Sequence, residues 1–141
     1  MTTPTTGVGV GALDTVVLDC PDPRALAQFY AALLGTTVSV DEGASEAPDE
    51  DGAWVSLEAP PGGIALGFQR ASRYEPPAWP DGPPQQLHLD VAVTDLVAAH
   101  QQVLALGARP LDPVTDPQPG DTRSFRVYAD PAGHPFCLCR C

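Results

Sequence analysis

The sequence predicts an α+β fold built as a tandem βαβββ repeat, two halves closing one shared cleft, and three observations point to it. Leu13-Asp-Thr-Val-Val-Leu-Asp-Cys20, followed by an amphipathic segment ending at Gly35, returns as Leu87-His-Leu-Asp-Val-Ala-Val93 and a segment ending at Gly107. The second part of each half recurs too. Trp54-Val-Ser-Leu-Glu-Ala-Pro-Pro-Gly-Gly63 matches Phe125-Arg-Val-Tyr-Ala-Asp-Pro-Ala-Gly-His134, and each copy runs on into an apolar stretch. Finally, 141 residues leave room for one domain of two modules rather than two independent domains.

Residues 1–11 form a polar Thr/Gly-rich arm expected to fray. The first strand, about 13–20, alternates, with Val16, Leu18 and Cys20 on one face and Thr15, Val17 and Asp19 on the other. Asp22 can cap the helix that follows, Pro23 suits its first position, and Gly35 suits a left-handed C-terminal cap. Leu26, Phe29, Tyr30, Leu33 and Leu34 make one apolar stripe on that helix. Asp41 to Gly52 reads as a solvated acidic loop without calcium-loop spacing. Strands are expected at about 53–58 and 64–70, joined by the Pro-Pro-Gly-Gly turn. Module 1 thus covers about 12–70 and module 2 about 85–140, with a proline-rich linker over about 71–84 that carries Tyr74 and Trp79. In module 2, His88, Asp90 and Ala92 share one strand face and Leu87, Leu89, Val91 and Val93 the other. Leu96, Ala99, Val103 and Leu106 make the second helix's stripe, and strands near 110–114, 123–129 and 135–140 complete the set.

Net charge is -11, from 7 basic residues, all arginine, against 18 acidic ones. Such a surface repels phosphate backbones and anionic lipid, so neither nucleic acid nor membrane is an expected partner. There is no apolar run of the roughly 18 residues a membrane span needs, and the N-terminal segment lacks the pattern of a signal peptide. Cys137, Cys139 and Cys141 alternate near the C-terminus, and with Cys20 they do not resemble a disulfide framework. A cytoplasmic location is therefore expected. Thiols at i and i+2 on an extended strand are poorly placed to bridge, so the cysteines read as small apolar fillers. No Gly-rich phosphate loop, Ser-His-Asp order, paired CxxC or HExxH is present.

The helices must cover the all-apolar strand faces, which leaves the mixed faces carrying Thr15, Val17, Asp19, His88 and Asp90 to line the cavity. An imidazole beside a carboxylate in an apolar cup can act as general base or hydrogen-bond a ligand, and His88 is the candidate. The bland alternative for His88 is a histidine satisfying a local backbone group. His134 reads as a turn-edge residue and His100 as structural. Phe68, Tyr74 and Trp79 offer aromatic faces near the rim, where flat or cationic ligands stack; alternatively, Trp79 only packs the linker onto the sheet.

The run Leu18-Asp-Cys-Pro-Asp-Pro-Arg-Ala-Leu-Ala-Gln-Phe-Tyr-Ala-Ala-Leu-Leu-Gly35 resembles the first strand and helix of the glyoxalase/bleomycin-resistance/dioxygenase group, the vicinal oxygen chelate superfamily. Gln85-Gln-Leu-His-Leu-Asp-Val-Ala-Val-Thr-Asp-Leu96 and Asp130-Pro-Ala-Gly-His-Pro-Phe-Cys-Leu-Cys139 resemble its second-module opening and closing strands. The likeness is nearest to the actinobacterial glyoxalase-like domain branch. It implies an open eight-stranded cup with two flanking helices, often in a homodimer, with metal ligands in some members on the first and last strands of each module. Those positions fall here on Thr15, on Ala65 or Leu66, on His88 and on Cys137. One imidazole and one thiol do not make an oxygen/nitrogen cage, so the resemblance implies a lost metal site and no cofactor. The expected function is metal-independent binding of a small molecule, a flat organic or cationic compound, within Thr15, Val17, Asp19, Phe68, His88, Asp90 and Cys137, capped by Tyr74 or Trp79. The alternative is a lyase, isomerase or dioxygenase using His88 as base or in an altered metal site; a structural dimer module is a third.

Overall fold

The computed structural model describes residues 9–39 and 53–140. Most of the expected N-terminal arm, the acidic loop and Cys141 lie outside the described residues. The elements run β1 (Thr15–Cys20), α1 (Pro23–Leu34), β2 (Trp54–Ser56), β3 (Ala65–Arg70), β4 (Leu89–Ala92), α2 (Leu96–Leu106), β5 (Arg109–Asp112), β6 (Phe125–Ala129) and β7 (Pro135–Cys139). They form an α+β fold with two open sheets, of order β1-β3-β2 and β4-β7-β6-β5.

The two sheets repeat one plan. β1 runs parallel to β3, with Leu18 opposite Phe68, as β4 runs parallel to β7, with Asp90 opposite Cys137. β2 and β6 then pair antiparallel with β3 and β7. β5 adds a fourth strand to the second sheet, with an irregularity between Pro110 and Asp112. In the first sheet the matching place holds a single bridge, Val38 to Leu57. The eight strands expected are therefore seven and a bridge among the described residues. β1 and β4 each lie at the edge of their own sheet.

Both helices start and stop where the sequence signals them. The Asp22 side chain accepts the Ala25 N–H at 3.2 Å, and Gly35 adopts φ 67° at the other end. Asp95 accepts from Val97 and Ala98, and Gly107 closes α2 at φ 111°. A left-handed residue lets the last turn's carbonyls be satisfied, and only glycine enters that region without a steric cost. The buried stripes differ from the expected ones at their ends. Leu34 and Leu106 are 44% and 37% exposed, while Ala27 and His100 are buried.

α1 bridges the two sheets through its aromatic residues. Tyr30 stacks on Phe68 of β3 at 5.7 Å, and both Phe29 and Tyr30 meet Phe136 of β7 edge-on at 5.8 and 6.4 Å. Phe136 stacks in turn on Tyr128, which contacts His100 of α2. Burying such a side chain is worth roughly 1.5–3 kcal/mol, so this ladder is a main source of cohesion between modules. One core thus lies on the helix side of both sheets, and the opposite face of each sheet is left outward.

A buried polar knot ties the modules at one end of this core. The Asp130 carboxylate accepts from the Tyr30 hydroxyl (2.7 Å), the His134 ring Nδ1 (2.8 Å) and the backbone N–H groups of Ala132 and His134 (2.9 and 3.0 Å). His134 Nε2 lies 2.7 Å from the Asp19 carbonyl oxygen, which joins the β6–β7 turn to the end of β1. Burial, reinforced by the neighbouring Asp130, pushes the Tyr30 hydroxyl far above its ordinary pKa, so it remains a donor. His134 is thus a turn residue with a structural task, and His100 likewise bonds Tyr128 (2.8 Å) and Asp116 (3.0 Å).

Candidate ligand-binding site

Strand alternation sends Leu18, Leu66 and Phe68 into the core, which turns Thr15, Val17, Asp19 and Gly67 to the outer face of the first sheet. Trp54, 38% exposed, lies across that face. A Cβ on Gly67 would stand 2.5 Å from the indole Cη2, so the bare glycine makes room for the ring. Val17 is 42% exposed beside it.

On the second sheet the outer face carries His88 and Asp90 at β4, Cys137 of β7, and Val127 and Phe125 of β6. The register sets Cys137 between Asp90 and Val127. His88 Nε2 lies 3.2 Å from Asp90 Oδ1, and Gln85 Nε2 lies 3.5 Å from His88 Nδ1. Gln85 Oε1 is buried without a partner. Above this floor Trp79 and Phe125 form apolar walls around a cavity of about 430 Å³. Asp90 holds the imidazole at Nε2, while the long Gln85 contact at Nδ1 can yield to a ligand, and ring faces flanking a carboxylate suit a flat or cationic group.

The thiol of Cys137 is pushed up to about 11, first by burial and then by Asp90, through its charge and a hydrogen bond. It therefore stays protonated near neutrality and offers packing rather than a nucleophile. Cys20 is a second free, buried thiol, likewise raised to about 11 by burial and surrounding aspartates. Cys139 is disulfide-bonded, which corrects its reading as a filler.

Among the residues expected at the site, the cavity gathers Trp79, His88, Asp90 and Cys137. Thr15, Val17 and Asp19 stand on the outer face of the other sheet and do not line this cavity. Two expectations need correcting. Phe68 is fully buried against Tyr30, because its register partner Leu18 fixes that position on the core side. Tyr74 is not a lid over this cavity: its hydroxyl donates to the Ala132 carbonyl (2.8 Å) and lies 3.2 Å from His134 Nε2, pinning the linker to the β6–β7 turn. Burial, with Asp130 next, raises that hydroxyl to about 12. Sequence reasoning missed Gln85, Phe125, Val127 and Trp54. The alternation of Trp54 with buried Val55 and of Phe125 with buried Arg126 was the available signal.

No curated protein sequence is significantly similar to the chain. Solved structures resemble it in fold. A glyoxalase/bleomycin resistance protein/dioxygenase family enzyme from Burkholderia phytofirmans PsJN superimposes with a TM-score of 0.62 at 16% identity, over 91% of this chain and 97% of that one. The fosfomycin resistance protein FosX from Mesorhizobium loti gives 0.61 at 12% identity, over 94% of each chain. TioX from Micromonospora sp. ML1 gives 0.54 at 20% identity, over 92% of this chain and 98% of that one. The family model of the glyoxalase-like domain matches residues 15–139. The chain therefore belongs to the glyoxalase-like domain family, and it shares its fold with structures from the glyoxalase/bleomycin resistance/dioxygenase group.

Proposed function

We propose that this protein binds a small flat or cationic molecule on the outer face of its second sheet, without a metal, and that a second copy of the chain covers the site. The carrying observation is the cavity in which the His88–Asp90 pair lies beneath Trp79 and Phe125. Support for the second copy comes from the two outer faces, whose Val17, Trp54 and Phe125 are 42, 38 and 46% exposed. β1 and β4 also leave free sheet edges, and such edges invite pairing with another strand. In such a homodimer Thr15, Val17 and Asp19 of one copy would face His88 of the other, completing the cup.

The metal used by part of the superfamily fits these residues poorly. His88, Asp90 and Cys137 bring one nitrogen, one oxygen and one sulfur within 4.8 Å of one another. At the position where metal-using members carry a ligand, the first sheet has the Thr15 hydroxyl, which donates to Asp14 at 2.6 Å. A hard divalent ion prefers oxygen ligands, so this mixed nitrogen, oxygen and sulfur set suits only a softer ion such as zinc, which belongs to the rival reading below. No described helix is long and apolar enough to cross a membrane. Cytoplasmic residence belongs to the same proposal; the free thiols of Cys20 and Cys137 favour it and the disulfide at Cys139 speaks against it.

The same three-donor cluster favours one rival, an enzyme using His88 as general base or in an altered metal site. Two measurements separate the readings. Elemental analysis of purified protein is expected to find no stoichiometric metal; near-equimolar metal lost in His88→Ala would establish the rival. Titration with a panel of planar cationic and neutral compounds should quench Trp79 fluorescence. Trp79→Ala and His88→Ala should each weaken binding by about 1–3 kcal/mol. A panel without a binder, or variants that bind as wild type does, would remove the proposal's support.

A further inference from the structure

A second cavity, of about 530 Å³, opens at the N-terminal end of α2, between Thr94–Val97 and the segment around Gln118 to Asp121. Three arginines line it, Arg123, Arg126 and Arg140, in a chain that holds 7 basic residues and a net charge of -11. Arg126 is the unusual one. It points from β6 toward the helix side and is only 1% exposed. Its Nη2 donates to the carbonyl oxygens of Thr115 and, at 3.5 Å, Pro113. That explains how it anchors the loop after β5, but its Nε and Nη1 have no hydrogen-bond partner. Nη1 forms an ion pair with Asp121 at 3.6 Å, longer than a hydrogen bond. With the Tyr128 hydroxyl as its other polar neighbour, this buried guanidinium has only loose partners at Nε and Nη1, a costly arrangement that a charged or polar ligand would relieve.

The other groups at the cavity are accounted for. Asp95 is engaged in capping α2 through Val97 and Ala98. Asp121 Oδ1 accepts the Arg123 N–H at 3.1 Å. Arg140 donates to the carbonyl oxygens of Arg123 (2.7 Å) and Asp121 (3.4 Å), which holds the loop in place. Arg123 pairs with Asp112 at 3.6 Å, donates from Nε to the Phe125 carbonyl at 3.5 Å and lies over the Phe125 ring, all long contacts that its 39% exposed side chain can leave for a ligand. The positive end of the α2 dipole adds to these cations. Two carboxylates of the lining oppose an incoming anion, Asp95 at the α2 cap and Asp121 beside Arg126.

We propose that this cavity is an anion site, distinct from the sheet-face site although Arg140 borders both, which takes a phosphate or sulfate group between Arg126 and Arg123 beside the capped N-terminus of α2. Donors converging from several sides suit a tetrahedral oxyanion. The test is titration of the full chain with inorganic phosphate, phenyl phosphate and, at equal ionic strength, sodium chloride, followed by calorimetry and by the amide signals of Leu96 and Val97. Phosphate should bind saturably and shift both amides, where chloride does not. Arg123→Ala should weaken it roughly tenfold, the loss of one charge-assisted contact. Asp121→Asn should tighten it several-fold by removing the opposing charge, an effect that a purely structural Arg126–Asp121 pair would not produce. Tighter binding of phenyl phosphate would assign the group to a larger metabolite, and equal binding to the free ion. Arg126→Met, if folded, should abolish binding; Arg123→Ala carries the test if it is not. Phosphate shifts no larger than those of chloride, or isotherms unchanged in Arg123→Ala and Asp121→Asn, would overturn the proposal.

Discussion

Replacing Tyr30 by Phe removes one oxygen from the centre of the molecule and tests how the two modules are held together. Tyr30 is 1% exposed, and its hydroxyl lies 2.7 Å from the buried Asp130 carboxylate. The ring contacts with Phe68 and Phe136 survive the change, so the measured cost isolates the hydrogen bond. A bond to a charged acceptor is worth about 1.5–3 kcal/mol, and Asp130 keeps three other donors, which favours the lower half of that range. About 2 kcal/mol is a large share of the roughly 5–15 kcal/mol that holds a domain folded. Equilibrium unfolding in urea should show a lower midpoint with an unchanged slope, as expected when stability alone changes. Tyr74→Phe provides the comparison: its half-buried hydroxyl donates to a neutral carbonyl, so the loss should be nearer 1 kcal/mol. A Tyr30→Phe cost under about 0.5 kcal/mol, or one smaller than that of Tyr74→Phe, would refute the view that Asp130 is the tie between α1 and the second module.

Gly67→Ala should displace the Trp54 ring from the outer wall of the first sheet, since the added carbon falls 2.5 Å from it. A changed Trp54 emission should accompany a loss of about 1–3 kcal/mol, and wild-type emission and stability would contradict the packing. Cys137 and Cys20 should resist alkylation at pH 8, because burial raises each to about 11 from 9.0, and rapid labelling of the folded protein would contradict it. The same shift predicts alkaline destabilisation. These thiols lose protons more readily when unfolded, so the unfolded state binds fewer protons as pH rises. Stability should be whole below pH 9.0 and fall progressively toward about 11, and a flat profile over that window would contradict the burial.

Alternation made much of the outer faces legible. Once Val16, Leu18 and Cys20 are given to the core, Thr15, Val17 and Asp19 must face away, and the same parity turns His88 and Asp90 outward. Phe68 was misassigned because parity within β3 does not state its phase. Leu66, Gly67 and Phe68 are all compatible with an apolar face, and only the pairing with β1 decides. That pairing is non-local and leaves no mark in the residues themselves. The stripe on α1 likewise says that something covers it, not that Phe68 and Phe136 from two sheets do so together. The repeat could not reveal that Thr15, Val17 and Asp19 do not line the cavity at His88, because two similar modules can associate through either face. Arg126 was invisible for a related reason. An arginine in a strand normally points to solvent, and only the loop over 113–121 folding onto it makes it buried.

The central claim is that a small molecule binds on the second sheet's outer face beneath the first sheet of another copy. The most direct measurement is an amide NMR titration of the full chain with the tightest member of the planar panel. The account predicts shifts at His88, Asp90, Phe125 and Cys137, joined by Thr15 and Val17 from the covering copy. Shifts confined to residues outside both sheet faces, or to the second sheet with Thr15 and Val17 unmoved, would contradict it.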